Sequence, residues 1–260
     1  MKRRLGRFRV RALEVHSAFK RPFHLVSDGL SLANHEMAQL RTTDEFSSLI
    51  TADLTWRIRE ISDLRTAIRR VDQSFRRSVL RASVPLLYAH WEGHVIVVAR
   101  SYVEFLAIRR LDYSTLKPNF RLNEFFADFR QLSHSPMSYQ EKIRFLVRVA
   151  DSGKLKFRRV DEEVISSRSN LNSAVLKDLC TYLSLDHGNF EEDYDFIDKV
   201  LLSRRNNIAH GEYMEIDEHM FEEMSSRVIG VMRKFNNLAE NDVVLGQYNV
   251  IPIRPTSGTS

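Results

Sequence analysis

The chain has 260 residues and a mass of 30.4 kDa, is 43% hydrophobic and 28% charged, and carries a formal net charge of +5. Nine glycines and six prolines, about 6% together, stand against roughly 12% in average proteins, which argues against a turn-rich sandwich or barrel and against a linker-dominated chain. The apolar share excludes a wholly disordered chain, no apolar run is long enough to span a membrane, and the length suffices for a core without disulfides or structural metal.

Residues 1 to 30 show no clear period, and residues 1 to 21 hold Lys2, Arg3, Arg4, Arg7, Arg9, Arg11, Lys20 and Arg21 against the single Glu14. They read as a basic arm, broken by Pro22 and Gly29. From Asp44 to about Arg81 no Gly or Pro occurs, and Leu49, Leu54, Ile58, Ile61, Leu64, Ile68, Val71, Phe75 and Val79 recur at helical spacing. This predicts one long amphipathic helix with arginines opposite the apolar stripe. Ser83 and Pro85 suit the N-cap and first turn of a new helix running to about Leu111. Shorter helices are expected at 121–131 and 138–150, with Asp151-Ser152-Gly153-Lys154 as a turn. The stretch onward to Ser169 fits either a strand pair or an irregular excursion.

Ser173 is a candidate cap for a helix over 174–184. That helix contains Cys180, the one cysteine, which rules out an intramolecular disulfide and any multi-cysteine metal site. It reads as a small core residue. A helix from about Glu192 to Ala209 follows, with Phe196, Ile197, Val200, Leu201 and Ile208 as its stripe. Gly211 sits where a left-handed C-terminal cap belongs. A last helix spans about Asp217 to Leu238, and the tail after Gly246 is expected to be loose. The expected architecture is all-α: a basic arm (1–30), a helical domain (31–245) with a less regular insertion around 151–170, and a flexible tail (246–260). Without a secretory h-region near the start, a reducing cytoplasm is the expected location.

Charge is unevenly spread. A second basic block carries Arg57, Arg59, Arg65, Arg69, Arg70, Arg76, Arg77 and Arg81, and an acidic stretch carries Asp186, Glu191, Glu192, Asp193, Asp195 and Asp198. Thirty arginines against nine lysines favour phosphate contact, because the guanidinium grips phosphate in a planar fork. A solvated helix face pairing with the acidic stretch, within one chain or between two, would produce the same pattern.

Few segments can carry chemistry. His90 and His94 share a helical face, but the metalloprotease pattern needs Glu directly after the first His, and here Trp91 intervenes. No glycine-rich phosphate loop and no nucleophile elbow occur. What remains is Arg204-Arg205-Asn206-Asn207-Ile208-Ala209-His210-Gly211. A histidine can exchange a proton with an attacking or leaving oxygen while an arginine neutralises charge on phosphoryl oxygens. For RNA the adjacent 2′-hydroxyl is the nucleophile. Basic side chains at a helix C-terminus also complement its dipole, so spacing alone leaves both readings open. On a continuing helix, five residues set Arg205 and His210 about 140° apart around the axis. They converge if the helix stops at Gly211 or if a second subunit presents the same segment.

The order of this segment and two others resembles the HEPN superfamily. Its signature is Arg, four to six residues, then His, often with a polar residue directly after Arg. Leu86-Leu87-Tyr88-Ala89-His90-Trp91-Glu92-Gly93 looks like the first core helix of a bacterial stand-alone HEPN group, and Ser169-Asn170-Leu171-Asn172-Ser173 like its mid-domain segment. The resemblance spans roughly residues 45 to 240. It implies a helical bundle that dimerises around a composite cleft, and a metal-independent endoribonuclease of a toxin–antitoxin or antiphage defence system, needing no cofactor. Arg205 would stabilise the scissile phosphate, His210 would be the general acid/base and Asn206 would orient them. His90 and Glu92 would be structural or would support the site. The implied partners are an RNA substrate, a second copy, and an antitoxin or neighbouring defence protein. Some HEPN toxins carry a modifiable Tyr two residues after the His; here Glu212 stands there and Tyr213 follows. A non-catalytic HEPN module binding RNA, nucleotide or protein is the alternative, and the arginine blocks alone would also suit a DNA-binding accessory subunit.

Overall fold

The computed structural model describes residues 40–134, 137–158, 164–166 and 170–251. The expected basic arm, and the tail from residue 252, lie outside them. The described chain is helical with no strand among the described residues, as expected. None of its helices is long and apolar enough to cross a membrane.

Helix α1 (Thr43–Arg70) opens on a capping box: Thr42 accepts from the Glu45 amide, and the Glu45 carboxylate returns to the Thr42 amide at 2.9 Å. Its apolar stripe buries Phe46, Ile50, Leu54, Ile61 and Ile68. The single long helix expected over 44–81 is in fact broken. Val71 turns extended (φ −67°, ψ 145°), and Asp72 caps α2 (Gln73–Arg109) by accepting from the Ser74 amide at 2.8 Å. In sequence the apolar spacing runs through the break, so periodicity could not show it, yet Phe75 of the expected stripe is exposed; the Asp N-cap preference was the available signal.

Helix α2 also passes straight through Pro85, where a new start was expected. Proline removes one intrahelical hydrogen bond, at a cost of about 3 kcal/mol in a helix interior. Val84, Leu87, Trp91, Val95 and Val98, all buried, outweigh it at about 1.5–3 kcal/mol per fully buried side chain. Ser83 is no cap: it is buried and its Oγ donates back to the Val79 carbonyl at 2.8 Å.

Helices α3 (Leu122–His134) and α4 (Tyr139–Asp151) match the two short helices expected. They join through Phe125 and Phe129, whose rings meet Phe145 edge-on at 5.6 and 5.5 Å. Ser152–Lys154 is a single 3₁₀ turn. Of the insertion, an isolated antiparallel bridge pairs Asp112 with Lys156, and Phe157 and Ile165 are buried; residues 159–163 and 167–169 lie outside the described set. Helix α5 (Ser173–Leu183) is capped by Asn172 rather than Ser173. Cys180 is buried in it, and burial pushes its thiol up to about 12.

The helix expected over 192–209 is divided by its winding. A 3₁₀ stretch (His187–Asp193) leads into a π-helical segment (Phe196–Leu202) and then α6 (Ser203–Ala209). Helix α7 (Glu218–Val244), capped by Asp217, runs six residues past the expected end at Leu238. It packs on α1 and α2: Arg65 donates to Ser225 and Ser226, Arg69 pairs with Glu222, and Tyr102 donates to the buried Asp242. Where the tail was expected to be loose, Tyr248 and Asn249 are buried, and Lys117 N–H donates to the Tyr248 carbonyl at 2.9 Å.

Candidate active site

The Leu86–Gly93 segment sends its side chains to two different places. His90 and His94 face α1, where His94 Nδ1 lies 2.7 Å from Asp53 Oδ2 and His90 Nε2 lies 3.4 Å from Glu60. Asp53 also accepts from Arg57 Nε at 2.8 Å and Trp56 Nε1 at 3.1 Å. Burial pushes the Asp53 carboxyl up, but the His94 and Arg57 hydrogen bonds outweigh it and hold it below the usual range. Burial, with the nearby Arg57 charge, pulls His90 down to about 4 and also lowers His94. Both histidines thus join α1 to α2. Among the described residues no three His, Cys, Asp or Glu side chains gather to hold a metal ion.

Tyr88 and Glu92, also one turn apart, face away from those histidines toward α6. The Tyr88 hydroxyl accepts the Leu171 amide at 2.5 Å. Burial pushes the phenol up to about 12, the neighbouring Glu92 carboxylate adding to it, so Tyr88 stays neutral. Its ring carries Arg205, whose Cζ lies 4.7 Å from the centroid. Arg205 Nη1 further donates to Asn206 Oδ1 at 2.7 Å and Asn170 Oδ1 at 3.2 Å. All three described contacts of Arg205 are therefore to uncharged groups. The cation is held in place without being neutralised by a contacting carboxylate, which leaves it able to stabilise an anion. Its neighbour Arg204 turns the other way and donates to Met224 Sδ at 3.3 Å.

The mid-domain segment supports the same spot. Asn170 accepts from Arg205, Leu171 is buried with its amide on Tyr88, Asn172 caps α5, and Ser173 gives its amide to Asp198 Oδ1 at 2.7 Å. Asp198 belongs to the π-helical segment, whose wider turn keeps Phe196, Ile197 and Leu201 inward. Single π turns inside helices frequently occur beside functional residues.

His210 is exposed at the C-cap of α6 and its amide still donates to the Asn206 carbonyl at 2.9 Å. Gly211 takes φ +79° as expected. Its amide reaches the Ile208 carbonyl at 3.1 Å and that of Glu212 the Asn207 carbonyl at 2.8 Å, a Schellman turn. Because the helix persists through the His210 amide, Arg205 and His210 keep the wide angular separation of five helical residues within one chain. The structure brings Arg205 and Asn206 together and leaves His210 at the open end.

Tyr88 and Asn170 lay within the segments that carried the resemblance but were given no role. The available signal was the i,i+4 pairing of Tyr88 with Glu92 on the side of α2 away from His90 and His94. Elsewhere, a cavity of about 610 Å³ lined by Phe125, Phe126, Val175, Leu179 and Tyr182 includes none of Arg205, Asn206 or His210.

A helical bundle bearing an anchored Arg–Asn pair and a histidine at the end of one short helix is the arrangement that the sequence resemblance implies for a HEPN domain. The chain belongs to the RiboL-PSP-HEPN family, whose model matches residues 52–241. HEPN domains form a nuclease and RNA-binding superfamily whose members often dimerise. No curated protein and no solved structure matches the chain.

Proposed function

We propose that this protein is a metal-independent endoribonuclease of a bacterial toxin–antitoxin or antiphage defence system, acting as a homodimer. The observation that carries this reading is Arg205, fixed by Tyr88, Asn170 and Asn206 through uncharged groups only.

In this reading a scissile phosphate docks on the Arg205 guanidinium, which offsets the charge that grows on the phosphoryl oxygens. The ribose 2′-hydroxyl attacks, one His210 accepts its proton, and a histidine donates a proton to the departing 5′-oxygen. The products carry a 2′,3′-cyclic phosphate and a 5′-hydroxyl. Asn206 sets the guanidinium's orientation through the 2.7 Å contact. Because His210 sits at the exposed end of α6, a twofold related copy supplies the second histidine and closes the cleft. Its exposure suits a residue completed by a partner chain. An antitoxin or neighbouring defence protein would act by covering this cleft.

The test is incubation of the purified protein with total RNA and tRNA in EDTA, beside Arg205→Ala and His210→Ala. Wild type should cut RNA and leave cyclic phosphate ends, and each variant should lose at least about 100-fold in rate, as for loss of a single preorganised transition-state donor. Intact RNA with wild type, at concentrations where the dimer is seen by sedimentation, would favour the non-catalytic HEPN module instead.

A further inference from the structure

Three residues past His210 stands Tyr213, with 68% of its surface exposed. The ring is nonetheless held. Gly211 and Glu212 close the Schellman turn before it, and Arg81 Nη2 donates to the Glu212 carbonyl at 2.8 Å. Arg77 places its Cζ 4.7 Å from the ring centroid and Arg81 places its own at 5.9 Å. These two arginines differ from others of the same block. Arg57, Arg69 and Arg76 are each paired with a carboxylate, of Asp53, Glu222 and Glu218. Arg77 and Arg81 meet an aromatic ring and a backbone carbonyl, neither of which cancels their charge.

A positioned aromatic plate facing solvent, flanked by guanidiniums, is how proteins hold unpaired nucleotides: a base stacks on the ring while the cations meet the backbone phosphates. A paired base would first have to leave its own stack, at a cost of a few kcal/mol, to reach such a plate. Three residues of chain span at most about 11 Å, so the plate lies beside the residue proposed as general acid/base. Glu212 carries its own carboxylate on the same turn, so the ring rather than local charge has to supply affinity there.

We infer that Tyr213, with Arg77 and Arg81, forms a subsite that stacks an unpaired base of single-stranded RNA next to the scissile phosphodiester. This deepens the nuclease reading and rests on it for the position of the cut. Tyr213 is a positioning residue for substrate, and Arg81 also fixes the turn that carries His210.

The experiment uses full-length protein with His210→Ala, which removes the proposed cleavage, and a fluorescein-labelled single-stranded RNA of about twelve nucleotides. Adding Tyr213→Ala should weaken binding about 5- to 100-fold, the range seen for loss of one stacked base. Tyr213→Phe should bind within about twofold of the parent, because stacking needs the ring and not the hydroxyl. A duplex of the same sequence should bind more weakly than the single strand, and Arg77→Gln should lower the salt dependence by about one ion. The exposed position keeps all variants folded, checked by their thermal transitions. Equal binding by Tyr213→Ala and its parent overturns the subsite, as does preference for duplex or no RNA binding at all. Cleavage by the wild-type chain is scored separately: its absence would remove the nuclease reading while a Tyr213-dependent affinity for single strands still supports the subsite.

Discussion

Gly93→Ala isolates the packing between the first two helices. Gly93 lies inside α2 without a left-handed backbone, and in a helix interior alanine is ordinarily better than glycine by about 1 kcal/mol. What requires glycine is Arg57. A methyl group on Gly93 would stand 2.7 Å from Arg57 Nη1, 2.9 Å from Nη2 and 3.1 Å from Cζ. The guanidinium has little room to retreat, because its Nε is held by Asp53 at 2.8 Å and its Cζ lies 4.5 Å from the Trp56 ring centroid. Stripping one partner from a buried ion pair costs about 3–5 kcal/mol; with His94 and Trp56 still donating to Asp53, about 2–4 kcal/mol applies here. After the helix-propensity gain, Gly93→Ala should lower stability by about 1–3 kcal/mol. Urea unfolding should show this as a lower midpoint at unchanged slope. In an Arg57→Leu background the same substitution meets no guanidinium, and its penalty should vanish. A Gly93→Ala variant as stable as wild type, or more so, would refute the reasoning.

Two further outcomes follow from the site and from its supporting network. Arg205→Lys keeps the charge but loses the planar group that lies over Tyr88 and forks toward two amides. RNA cleavage should fall about 10- to 100-fold, with thermal stability little changed, and wild-type rates in that variant would show that charge alone suffices. The second concerns pH. His90 titrates near 4 in the folded chain against 6.5 unfolded, so the unfolded chain binds the extra proton between those values. Stability is therefore full above about pH 6.5 and falls toward pH 4, by about 2–3 kcal/mol for His90 after discounting for solvent. Asp53, held below its usual range, loses its contribution only at lower pH. His90→Gln should flatten the decline between pH 7 and 4, and parallel curves for variant and wild type would dismiss the assignment.

The parts of the fold that could be read directly are those where one physical rule dominates. A stripe at helical spacing gave α1, and a glycine directly after the Arg205–His210 segment gave the left-handed cap. The parts that could not are those where two rules compete. At Val71 the apolar stripe favours continuing the helix while Asp72 favours starting another, and the cap prevails because the chain then packs α2 back on α1. At Pro85 the local rule favours a start, and burial of Val84 and Leu87 overrides it. The π-helical turn at Phe196–Leu202 buries Phe196, Ile197 and Leu201, which also fit the α-helical stripe expected there, so the sequence pattern does not separate the two windings. For the site, Arg205 and His210 were singled out by their chemistry, and their roles, with Asn206, came from the family resemblance. Tyr88 and Asn170, 117 and 35 positions before Arg205 in the chain, lay in the matching segments, and the fold showed that they contact it.

The arginines show why composition was a weaker guide than geometry. Counted along the chain, the block from Arg57 to Arg81 suggests a continuous phosphate-binding face. In the structure much of it is already partnered: Arg57 supports Asp53, Arg65 ties α1 to the serines of α7, and Arg69 and Arg76 pair with Glu222 and Glu218 of α7. The acidic stretch is absorbed likewise, with Asp193 taking Lys234 at 2.6 Å and Asp198 taking Ser173. An arginine already facing a carboxylate adds little to the attraction of a polyanion, since any phosphate it gains must displace that partner. An arginine whose contacts are amides, carbonyls or aromatic faces keeps its full charge for an incoming phosphate. Arg205, Arg77 and Arg81 are of this second kind. Arg205 lies on α6, and the other two meet the turn that follows it. On the proposed reading, RNA affinity should thus be concentrated around the end of α6 rather than spread along α1 and α2.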